Sequence, residues 1–331
     1  MKVLVAGGAG FIGSHLCARL LREGHTVVCV DNLLTGAERN IAPLQANQAD
    51  ARFTFVQRDV TEPFDVVRDL NGFQPEAIFQ MASPASPIGY WNFPFETIRV
   101  NTIGTTNLLE LALQCGARLL TASTSESYGD PLVHPQREDY YGNVNPIGVR
   151  ACYDESKRLG ETITMEYVRR KGVDARIVRI FNTYGPNSQL NDGRMIPNFI
   201  TQALSGKPLT IHGDGSQTRS ICYVDDLVEG LVLALFTPGT AGEVINLGNP
   251  DERPVRAWAE QIVRLCDSRS PLATQSRRPE DPSRRQPDIA KARRLLGWEP
   301  RVTPEEGLVR TIAWFRSALE QSATCPPAAI H

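Results

Sequence analysis

Long apolar runs are missing from this chain of 331 residues. The longest runs, such as Leu231–Phe236, fall far short of the roughly 20 residues that a membrane-spanning helix needs. Near the N-terminus, four glycines between residues 7 and 13 interrupt the first apolar stretch, which makes it a poor signal peptide. The sequence therefore predicts no membrane partner.

A charge excess of either sign is missing as well. Lysine and arginine together number 35 and aspartate and glutamate 37, so the formal net charge is 35 − 37 = −2. A nearly neutral chain offers no broad attraction for nucleic acid or for an anionic membrane, and we expect neither as a partner. Apolar residues make up 41% of the chain, an ordinary globular proportion that excludes wholesale disorder.

Metal-ligand and disulfide patterns are absent from the sequence too. The seven cysteines are odd in number, widely spaced and without a Cys-x-x-Cys motif. This pattern argues against a disulfide framework and a zinc site, and it fits a reducing compartment, so we expect a cytoplasmic protein. The five histidines form no metal-ligand cluster, and we expect no metal.

Strand-like and helix-like patterns alternate through the first half of the chain. Near-continuous apolar strands separated by helices indicate a parallel sheet covered on both faces. We therefore predict an α/β fold with a doubly wound parallel sheet of the Rossmann type, in which ligands bind at the carboxyl ends of the strands. The predicted strands are Lys2–Ala6, His25–Asp31, Arg52–Val56, Ala77–Ala82, Arg118–Ser123 and Arg176–Phe181, and the predicted helices among them are His15–Arg22, Thr105–Gln114 and Asp154–Arg170.

The residue composition of the sequence changes after Phe181. Residues 182–218 are rich in Gly, Pro, Asn and Ser. Thr303 and Glu306 form a capping box with Pro304 at the first helical position, which predicts a helix to about Leu319. Further predictions are helices over Met195–Leu204, Asp225–Leu235 and Val255–Leu265 and a loop over Arg277–Gln286.

A glycine-rich turn, Gly8-x-Gly10-x-x-Gly13, follows the first predicted strand. Its glycines allow a tight turn, close approach of a pyrophosphate and close packing of helix on strand, while the helix N-terminus attracts phosphate. Asp31 ends the next strand, 18 residues after Gly13. A carboxylate there accepts hydrogen bonds from a ribose 2′-hydroxyl and repels a 2′-phosphate, which favours NAD over NADP. Asp59 suits either the adenine edge or an ordinary loop.

A second pattern carries catalytic chemistry. Tyr153-x-x-x-Lys157 places both side chains on one helix face. An ammonium beside a phenol favours the phenolate, a usable general base, and the lysine can also bind the nicotinamide ribose. Ser123–Glu126 ends a predicted central strand, where hydroxyls can hold a substrate hydroxyl near the tyrosine. Glu126 is then either an active-site carboxylate or a surface glutamate.

Together these residues resemble the extended short-chain dehydrogenase/reductase family. Within it the chain is similar, from about residue 1 to 320, to the UDP-glucuronate decarboxylases, also called UDP-xylose synthases. The segments that carry this resemblance are Ala82–Pro87, Ser123–Glu126, Asn145–Gly148, Cys152–Glu155, Ile180–Pro186, Asp192–Arg194, Gln217–Arg219, Asn246–Pro250, Pro287–Ile289 and Leu296–Pro300.

The resemblance implies an enzyme that decarboxylates UDP-glucuronate with bound NAD. Tyr153 takes the proton of the sugar 4-hydroxyl while C4 gives its hydride to NAD. The 4-keto sugar is a β-keto acid, so it loses carbon dioxide readily. Protonation at C5 and return of the hydride give UDP-xylose, and release before that return gives UDP-4-keto-xylose.

The resemblance also implies a role for each site residue, with no metal among them. The implied catalytic residues are Thr124, Ser125, Glu126, Tyr153, Lys157 and Arg285. The implied NAD-binding residues are Gly7, Gly10, Phe11, Ile12, Gly13, Asp31, Asn32, Thr35, Asp59, Val60, Met81, Ala82, Ser83, Tyr153 and Lys157. The implied UDP-sugar contacts are Ser83, Arg99, Asn182, Arg194, Arg219, Tyr223 and Arg285.

The predicted organisation has two units. Residues 1–182 form an NAD-binding domain with a return segment near 220–250, residues 183–320 form mainly a substrate-binding domain, and residues 321–331 form a flexible tail. The resemblance implies a homodimer in which Thr105–Gln114 and Asp154–Arg170 pair as a four-helix bundle. Their leucines, such as Leu108 and Leu159, suit that interface or an ordinary core.

Five positions depart from the family pattern. They are Asn187 in place of arginine, Tyr141 in place of tryptophan, Ser127 in place of valine, Ser156 in place of glycine and Gln286 in place of lysine. These changes leave the oxidation step intact and bear on carboxylate handling and the final reduction.

Three other functions remain open at this point. A UDP-glucuronate or UDP-hexose 4-epimerase shares the oxidation, but epimerases usually lack a carboxylate at the position of Glu126. A 4,6-dehydratase usually has aspartate where Ser125 stands. An inactive NAD-binding regulator would not need the intact set of Thr124, Tyr153 and Lys157.

Overall fold

The computed structural model describes residues 1–46, 51–277, 282 and 284–324. Its strands are β1 Lys2–Ala6, β2 Thr26–Asp31, β3 Phe53–Gln57, β4 Ala77–Gln80, β5 Arg118–Thr124, β6 Ala175–Ile180, β7 Thr183–Tyr184, β8 Leu209–His212, β9 Thr218–Ser220, β10 Cys222–Tyr223, β11 Val244–Leu247, β12 Glu252–Pro254 and β13 Leu272–Gln275. Its α-helices are α1 Phe11–Arg22, α2 Ala42–Ala46, α3 Val66–Leu70, α4 Pro87–Asn92, α5 Pro94–Arg99, α6 Thr105–Cys115, α7 Ala151–Lys171, α8 Met195–Leu204, α9 Val224–Phe236, α10 Val255–Leu265, α11 Ala290–Leu296 and α12 Pro304–Thr324.

A parallel sheet organises the first half of the protein. In the described part of the chain it has seven strands in the order β11-β6-β5-β4-β1-β2-β3. Ala6 of β1 pairs with Val30 of β2 and with Gln80 of β4, so the carboxyl ends of these strands lie along one edge. The strand order reverses between β1 and β4, which opens a cleft at that edge. The predicted doubly wound fold is confirmed.

Strand β1 shows why the sheet needs helices on both faces. Val3 and Val5 belong to an apolar cluster with residues of α1 and α9, whereas Leu4 and Ala6 belong to another with residues of α6. Because side chains alternate along a strand, a continuously apolar strand is buried on both sides. This packing holds the carboxyl edge of the sheet rigidly in place.

Three two-stranded sheets lie outside the main sheet in the described residues. β7 pairs with β10 and β8 with β13 in parallel, and β9 pairs with β12 antiparallel. Arg219 lies in the middle of β9, opposite Arg253. These short pairings bring residues after 182 to the sheet edge, and the sequence patterns did not predict them.

Most predicted helices have the expected limits. α8 and α10 match their predicted ranges, and the backbone N–H of Glu306 donates to Thr303 Oγ1 at 3.3 Å, as expected for the capping box at α12. The predicted tail, 321–331, begins inside α12, which continues to Thr324, and its remaining residues lie outside the described part. Of the predicted loop over Arg277–Gln286, residues 277, 282 and 284–286 are described, and none of them is helical or in a strand.

Two further observations concern the position of strand β11 and the length of the described helices. Strand β11 of the main sheet lies in the predicted return segment near 220–250, beside β6. None of the helices in the described residues is both long enough and apolar enough to cross a membrane.

Candidate active site

A cavity of about 900 Å³ opens along the carboxyl edge of the main sheet. All of the predicted catalytic and cofactor-binding residues line it, and so do all of the predicted substrate contacts except Tyr223. The edge of β1, β2, β4 and β5 therefore brings together residues that lie far apart in the sequence.

The glycine-rich turn leaves room for a ligand at the start of α1. Gly7 has a φ of +80°, and a Cβ added there would lie 2.6 Å from the backbone nitrogen of Ala82. A Cβ at Gly13 would overlap the carbonyl oxygen of Gly7. The absence of side chains lets α1 pack against β1 and presents its N-terminus to the cavity, an arrangement that fits a pyrophosphate.

Asp31 is held as a fixed acceptor at the end of β2. Ala9 N donates to Asp31 Oδ2 at 3.0 Å, and Leu33 N donates to Asp31 Oδ1 at 2.8 Å. Burial raises the pKa of this carboxyl, and the two backbone hydrogen bonds oppose that rise. Any side chain at Gly36 would meet the carboxylate, so the glycine keeps its surroundings open. These residues fit the adenosine ribose of NAD.

Asp59 lies on the same side of the cavity. Its carboxylate accepts hydrogen bonds from Asn32 Nδ2 at 3.1 Å and from Thr61 N at 2.8 Å. Burial raises the pKa of Asp59, but the hydrogen bonds and the charge of Arg99 lower it by more. The net shift of the pKa is therefore downward. Arg99, which was predicted to contact substrate, therefore lies close to the cofactor side of the cavity.

Tyr153 projects from α7 into the cavity, and its ring is fixed by its neighbours. It stacks on Tyr90 with ring centroids 5.2 Å apart and an interplanar angle of 14°. Burial raises the pKa of Tyr153 to about 12, and a hydrogen bond with Thr124 and the charge of Arg194 oppose that rise. In the protein alone the phenol is therefore protonated at neutral pH.

Lys157 lies one turn further along α7. Its Nζ donates to the carbonyl oxygen of Ala122 at 2.8 Å and lies 6.0 Å from the centroid of the Tyr153 ring. Burial lowers the pKa of Lys157 to about 7, and the charge of Glu161 opposes that shift. The activation of the phenol by this lysine stays a prediction, and a positive charge near Tyr153 would favour it.

Glu126 lines the cavity and its side chain is largely buried, which argues against the interpretation as a surface glutamate; its catalytic role stays a prediction. It lies in a 3-10 turn, Ser125–Tyr128, and forms ion pairs with Arg150 and Arg285. Burial raises the pKa of Glu126, but the two arginines lower it to about 2. Arg285 has only 2% of its surface exposed and donates from Nη2 to the carbonyl oxygen of Gly129 at 2.9 Å. A carboxylate and two guanidinium groups therefore lie beside Thr124.

Sequence reasoning missed two residues of this site. Arg150 pairs with Glu126, and Tyr90 stacks on Tyr153, and both line the cavity. Arg150 also lies 3.9 Å from the carboxylate of Asp154, four residues along α7. An Arg and an Asp at i, i+4 are a common pair on helices, so this spacing alone does not identify Arg150 as a residue of the site.

The predicted substrate contacts come from the later segments of the chain. Arg194 lies 3.5 Å from the carboxylate of Asp192, and Arg219 Nη1 donates to the carbonyl oxygen of Thr218 at 2.8 Å. Asn182 lines the same part of the cavity and holds β10 by accepting a backbone hydrogen bond from Cys222.

Tyr223 requires a correction, because the structure does not bring it to the cavity. Its ring packs edge to face on Tyr184, with centroids 5.6 Å apart, and the guanidinium of Arg310 lies 5.7 Å from its centroid. The side chain follows β10 toward α12 instead of toward the sheet edge. It serves the packing between α9 and α12.

Of the five departures from the family pattern, Asn187 lines the cavity. It has a φ of +64°, and its Nδ2 donates to Ser14 Oγ of α1 at 3.1 Å. Ser156 accepts a hydrogen bond from Asn101 at 2.9 Å, Gln286 donates to Pro250 O at 2.8 Å, and the Tyr141 side chain is exposed. Ser127 lies in the turn behind Glu126. Most of these changes thus act around the cavity and not on its wall.

Comparisons with known proteins agree with this geometry. The model of the NAD dependent epimerase/dehydratase family matches residues 3–248. The UDP-glucuronic acid decarboxylase 1 of Xenopus tropicalis is 49% identical over 322 residues, which are 97% of this chain and 74% of that protein. The UDP-glucuronic acid decarboxylase 3 of Arabidopsis thaliana is 48% identical, over 93% of this chain and 87% of that protein.

A solved structure extends the comparison to ligands. The UDP-glucuronic acid 4-epimerase of Bacillus cereus, in complex with UDP-glucuronic acid and NAD, has a TM-score of 0.85 and 29% identity. The match covers 96% of this chain and all of that one.

Proposed function

The chain belongs to the NAD dependent epimerase/dehydratase family, and from this premise we propose that it is an enzyme that decarboxylates UDP-glucuronate with bound NAD to give UDP-xylose. The observation that carries the proposal is the ion-paired Glu126 beside Thr124 and Tyr153. A 4-epimerase shares the oxidation at Tyr153 but has no use for this carboxylate.

The first step needs a base at the sugar 4-hydroxyl. NAD, when bound, accepts the hydride from C4 and later returns it, and its positive ring favours ionised tyrosine. The oxygen of Tyr153 takes the hydroxyl proton, and Thr124 holds that oxygen in place through its hydrogen bond. Lys157 supplies a cation within the same buried site.

The second step is the loss of carbon dioxide from the 4-keto sugar. The bond between C5 and the carboxyl carbon breaks, and its electrons enter the C4 ketone as an enolate. Glu126 is ionised because its pKa is about 2, so it acts as an acceptor and not as an acid. Arg285 and Arg150 provide planar donors for oxygen anions. We propose that Arg285 helps to deliver the proton to C5 and that Arg219 holds the diphosphate.

Release of carbon dioxide from UDP-glucuronate labelled at C6 tests this function. We expect labelled gas and UDP-xylose from the protein with NAD, and Glu126→Gln should slow gas release while leaving NAD affinity unchanged. The appearance of UDP-galacturonate without gas would replace the decarboxylase by an epimerase.

We also propose that the chain forms a homodimer through α6 and α7. Leu108, Leu109 and Leu111 are buried in the core, so these residues do not form the interface. Other apolar side chains remain exposed on α6, on α7 and on the turn before α6. Leu159 of α7 has 50% of its surface exposed, Leu113 of α6 has 43%, and Ile103 of the turn has 43%. Burial of such residues between two copies is the expected driving force.

Two further parts of the proposal concern organisation and location. Residues 1–182 with the segment near 220–250 bind NAD, and 183–320 mainly bind the UDP-sugar. The seven cysteines are odd in number and widely spaced, a pattern that supports work in a reducing compartment such as the cytoplasm.

A further inference from the structure

A polar cluster of Glu161, Arg179, Ser123 and Ser127 lies directly behind the Thr124–Glu126 segment, and of these four residues Ser123 lines the cavity. Its centre is Glu161, on α7, whose side chain is 12% exposed. Arg179 of β6 donates to both carboxylate oxygens of Glu161, from Nε at 2.9 Å and from Nη2 at 2.8 Å. Such a bidentate pair fixes the carboxylate in one orientation.

Glu161 contacts the catalytic segment on both sides. Ser123 Oγ, just before Thr124, donates to Glu161 Oε1 at 2.5 Å. Ser127 Oγ, just after Glu126, lies 3.3 Å from the same oxygen and 3.2 Å from Ser123 Oγ. One carboxylate oxygen thus ties together the two ends of the segment that carries the catalytic groups.

Glu161 also follows Lys157 by one helical turn. Its negative charge opposes the burial that lowers the pKa of Lys157 to about 7. A buried ammonium that titrates near neutral pH depends strongly on any nearby anion. The charged and titratable groups around this pair are Arg179 of β6, which pairs with Glu161 and lies over the Tyr128 ring, Tyr153, whose ring centroid lies 6.0 Å from Lys157 Nζ, and Arg158, which donates to the carbonyl oxygen of Ser127.

We propose that Glu161 is a positioning residue for the proposed decarboxylation, which holds the Thr124–Glu126 segment in place and provides an anion one helical turn from the Lys157 side chain. This inference rests on the proposed function. Glu161 does not line the cavity, so it acts through Ser123, Ser127 and Lys157. Because Ser127 stands where the resembling family has valine, part of this linkage is a property of this chain.

The removal of the Glu161 charge separates its electrostatic effect from its structural effect. Glu161→Gln keeps the size of the side chain but leaves the Arg179 guanidinium buried without its partner, so the double variant E161Q/R179M is made as well. Glu161→Asp keeps the charge, and R179M alone is the matched structural control.

The first readout does not depend on activity. We follow the side-chain nitrogen of Lys157 by NMR as a function of pH in the protein without NAD. The pKa of Lys157 should fall in E161Q and in E161Q/R179M, because the anion that favours the ammonium is gone, and it should stay near the wild-type value in E161D. An unchanged pKa in both charge-removing variants overturns the electrostatic part of the proposal.

The second readout is the pH profile of carbon dioxide release. In E161Q/R179M the alkaline limb should move to lower pH, and kcat should fall about tenfold near pH 8 with little change in KM. S127A and S127V should lower kcat without moving the limb. If R179M alone reproduces the loss and the limb stays in place, Glu161 is merely structural and the proposal fails.

These results are independent of the proposed function itself. Absence of gas release from the wild-type protein contradicts the decarboxylase, whereas wild-type behaviour of the Glu161 and Ser127 variants contradicts the positioning role.

Discussion

At the scale of single residues, burial shifts the pKa values of the proposed catalytic pair, Tyr153 and Lys157. It raises the pKa of Tyr153 to about 12 and lowers the pKa of Lys157 to about 7, so each residue resists ionisation in the protein alone. The phenolate becomes accessible only when enough positive charge gathers around it. The proposed site would hold oxidised NAD beside Tyr153, where its positive ring would favour the phenolate and its nicotinamide would supply a hydride acceptor.

Removal of the Tyr153 hydroxyl tests this role. Tyr153→Phe keeps the ring that stacks on Tyr90, so we expect NAD and UDP to bind with nearly wild-type affinity. Turnover should fall by about 10²- to 10⁴-fold or more, because the proton acceptor is gone. The measurement is steady-state carbon dioxide release with calorimetric binding as the control, and near-normal turnover would contradict the assignment.

The Asp31 carboxylate is proposed to favour NAD over NADP. The wild-type protein should bind NAD much more tightly than NADP, because the fixed carboxylate repels a 2′-phosphate. Asp31→Ala should narrow that preference by about tenfold, the effect of one lost charge contact. Asp59→Ala, on the same side of the cavity, is the matched control and should leave the NAD to NADP ratio near the wild-type value. Equal binding of both cofactors by the wild type would refute this reading.

The fate of the intermediate depends on how firmly the cavity wall holds it. Asn187 provides a short amide where the resembling family has arginine, so we expect a looser grip on the 4-keto pentose. A difference of about 1.4 kcal/mol between hydride return and release changes their ratio tenfold. Product analysis should show UDP-xylose with a detectable fraction of UDP-4-keto-xylose and some reduced cofactor on the protein. UDP-xylose as the sole product would contradict the expected release of the 4-keto intermediate.

At the scale of elements, the glycine turn and α1 act as one unit. Gly13→Ala places a methyl group on the carbonyl oxygen of Gly7, and overpacking of this kind costs about 1–3 kcal/mol. We expect a lower melting temperature and a smaller rise in that temperature on addition of NAD. Thermal unfolding with and without NAD measures both effects, and a wild-type NAD shift in the variant would contradict them.

The elements of the main sheet follow from local patterns. β1 to β6 were predicted within a few residues, because each strand is apolar along its length and each helix has a single apolar face. The short pairs β8–β13 and β9–β12 were not predicted, since three or four residues carry too little periodicity and the partners lie far apart in the chain. Seven-strand order likewise depends on long-range contacts that no local pattern contains.

The candidate site divides in the same way. Asp31, Tyr153 and Lys157 stand at strand ends or at helical spacing, so the sequence alone indicates their roles. Arg285 could be found only through the resemblance, because a run of arginines between prolines is otherwise a solvated loop. Arg150 gains its role from a contact with Glu126, 24 residues away, that only the folded chain creates.

At the scale of the whole molecule, the cavity joins segments from Gly7 to Arg285. Such a site forms only when both halves of the chain are folded against each other. Loss of substrate binding is therefore a sensitive reporter of damage anywhere in the fold, including positions remote from the cavity.

The proposed dimer is a property of this same scale. Leu159→Glu places a charge on a half-exposed position, so the fold should tolerate it while the α6–α7 interface should not. Sedimentation at micromolar concentration should give twice the mass of one chain for the wild type and a single chain for the variant. Leu132→Glu, at a position that is 83% exposed, is the control and should remain dimeric. A monomeric wild type would contradict the interface.

Strand β11 comes much later in the chain than β6, the strand beside it in the sheet, and this order has a consequence during protein synthesis. β6 ends at Ile180, but the strand that covers its outer edge, Val244–Leu247, leaves the ribosome more than 60 residues later. During that interval β6 presents an open, apolar edge of the kind that recruits other strands. A truncated chain that stops at 182 would keep this edge permanently, and it should aggregate unless residues up to 247 are retained.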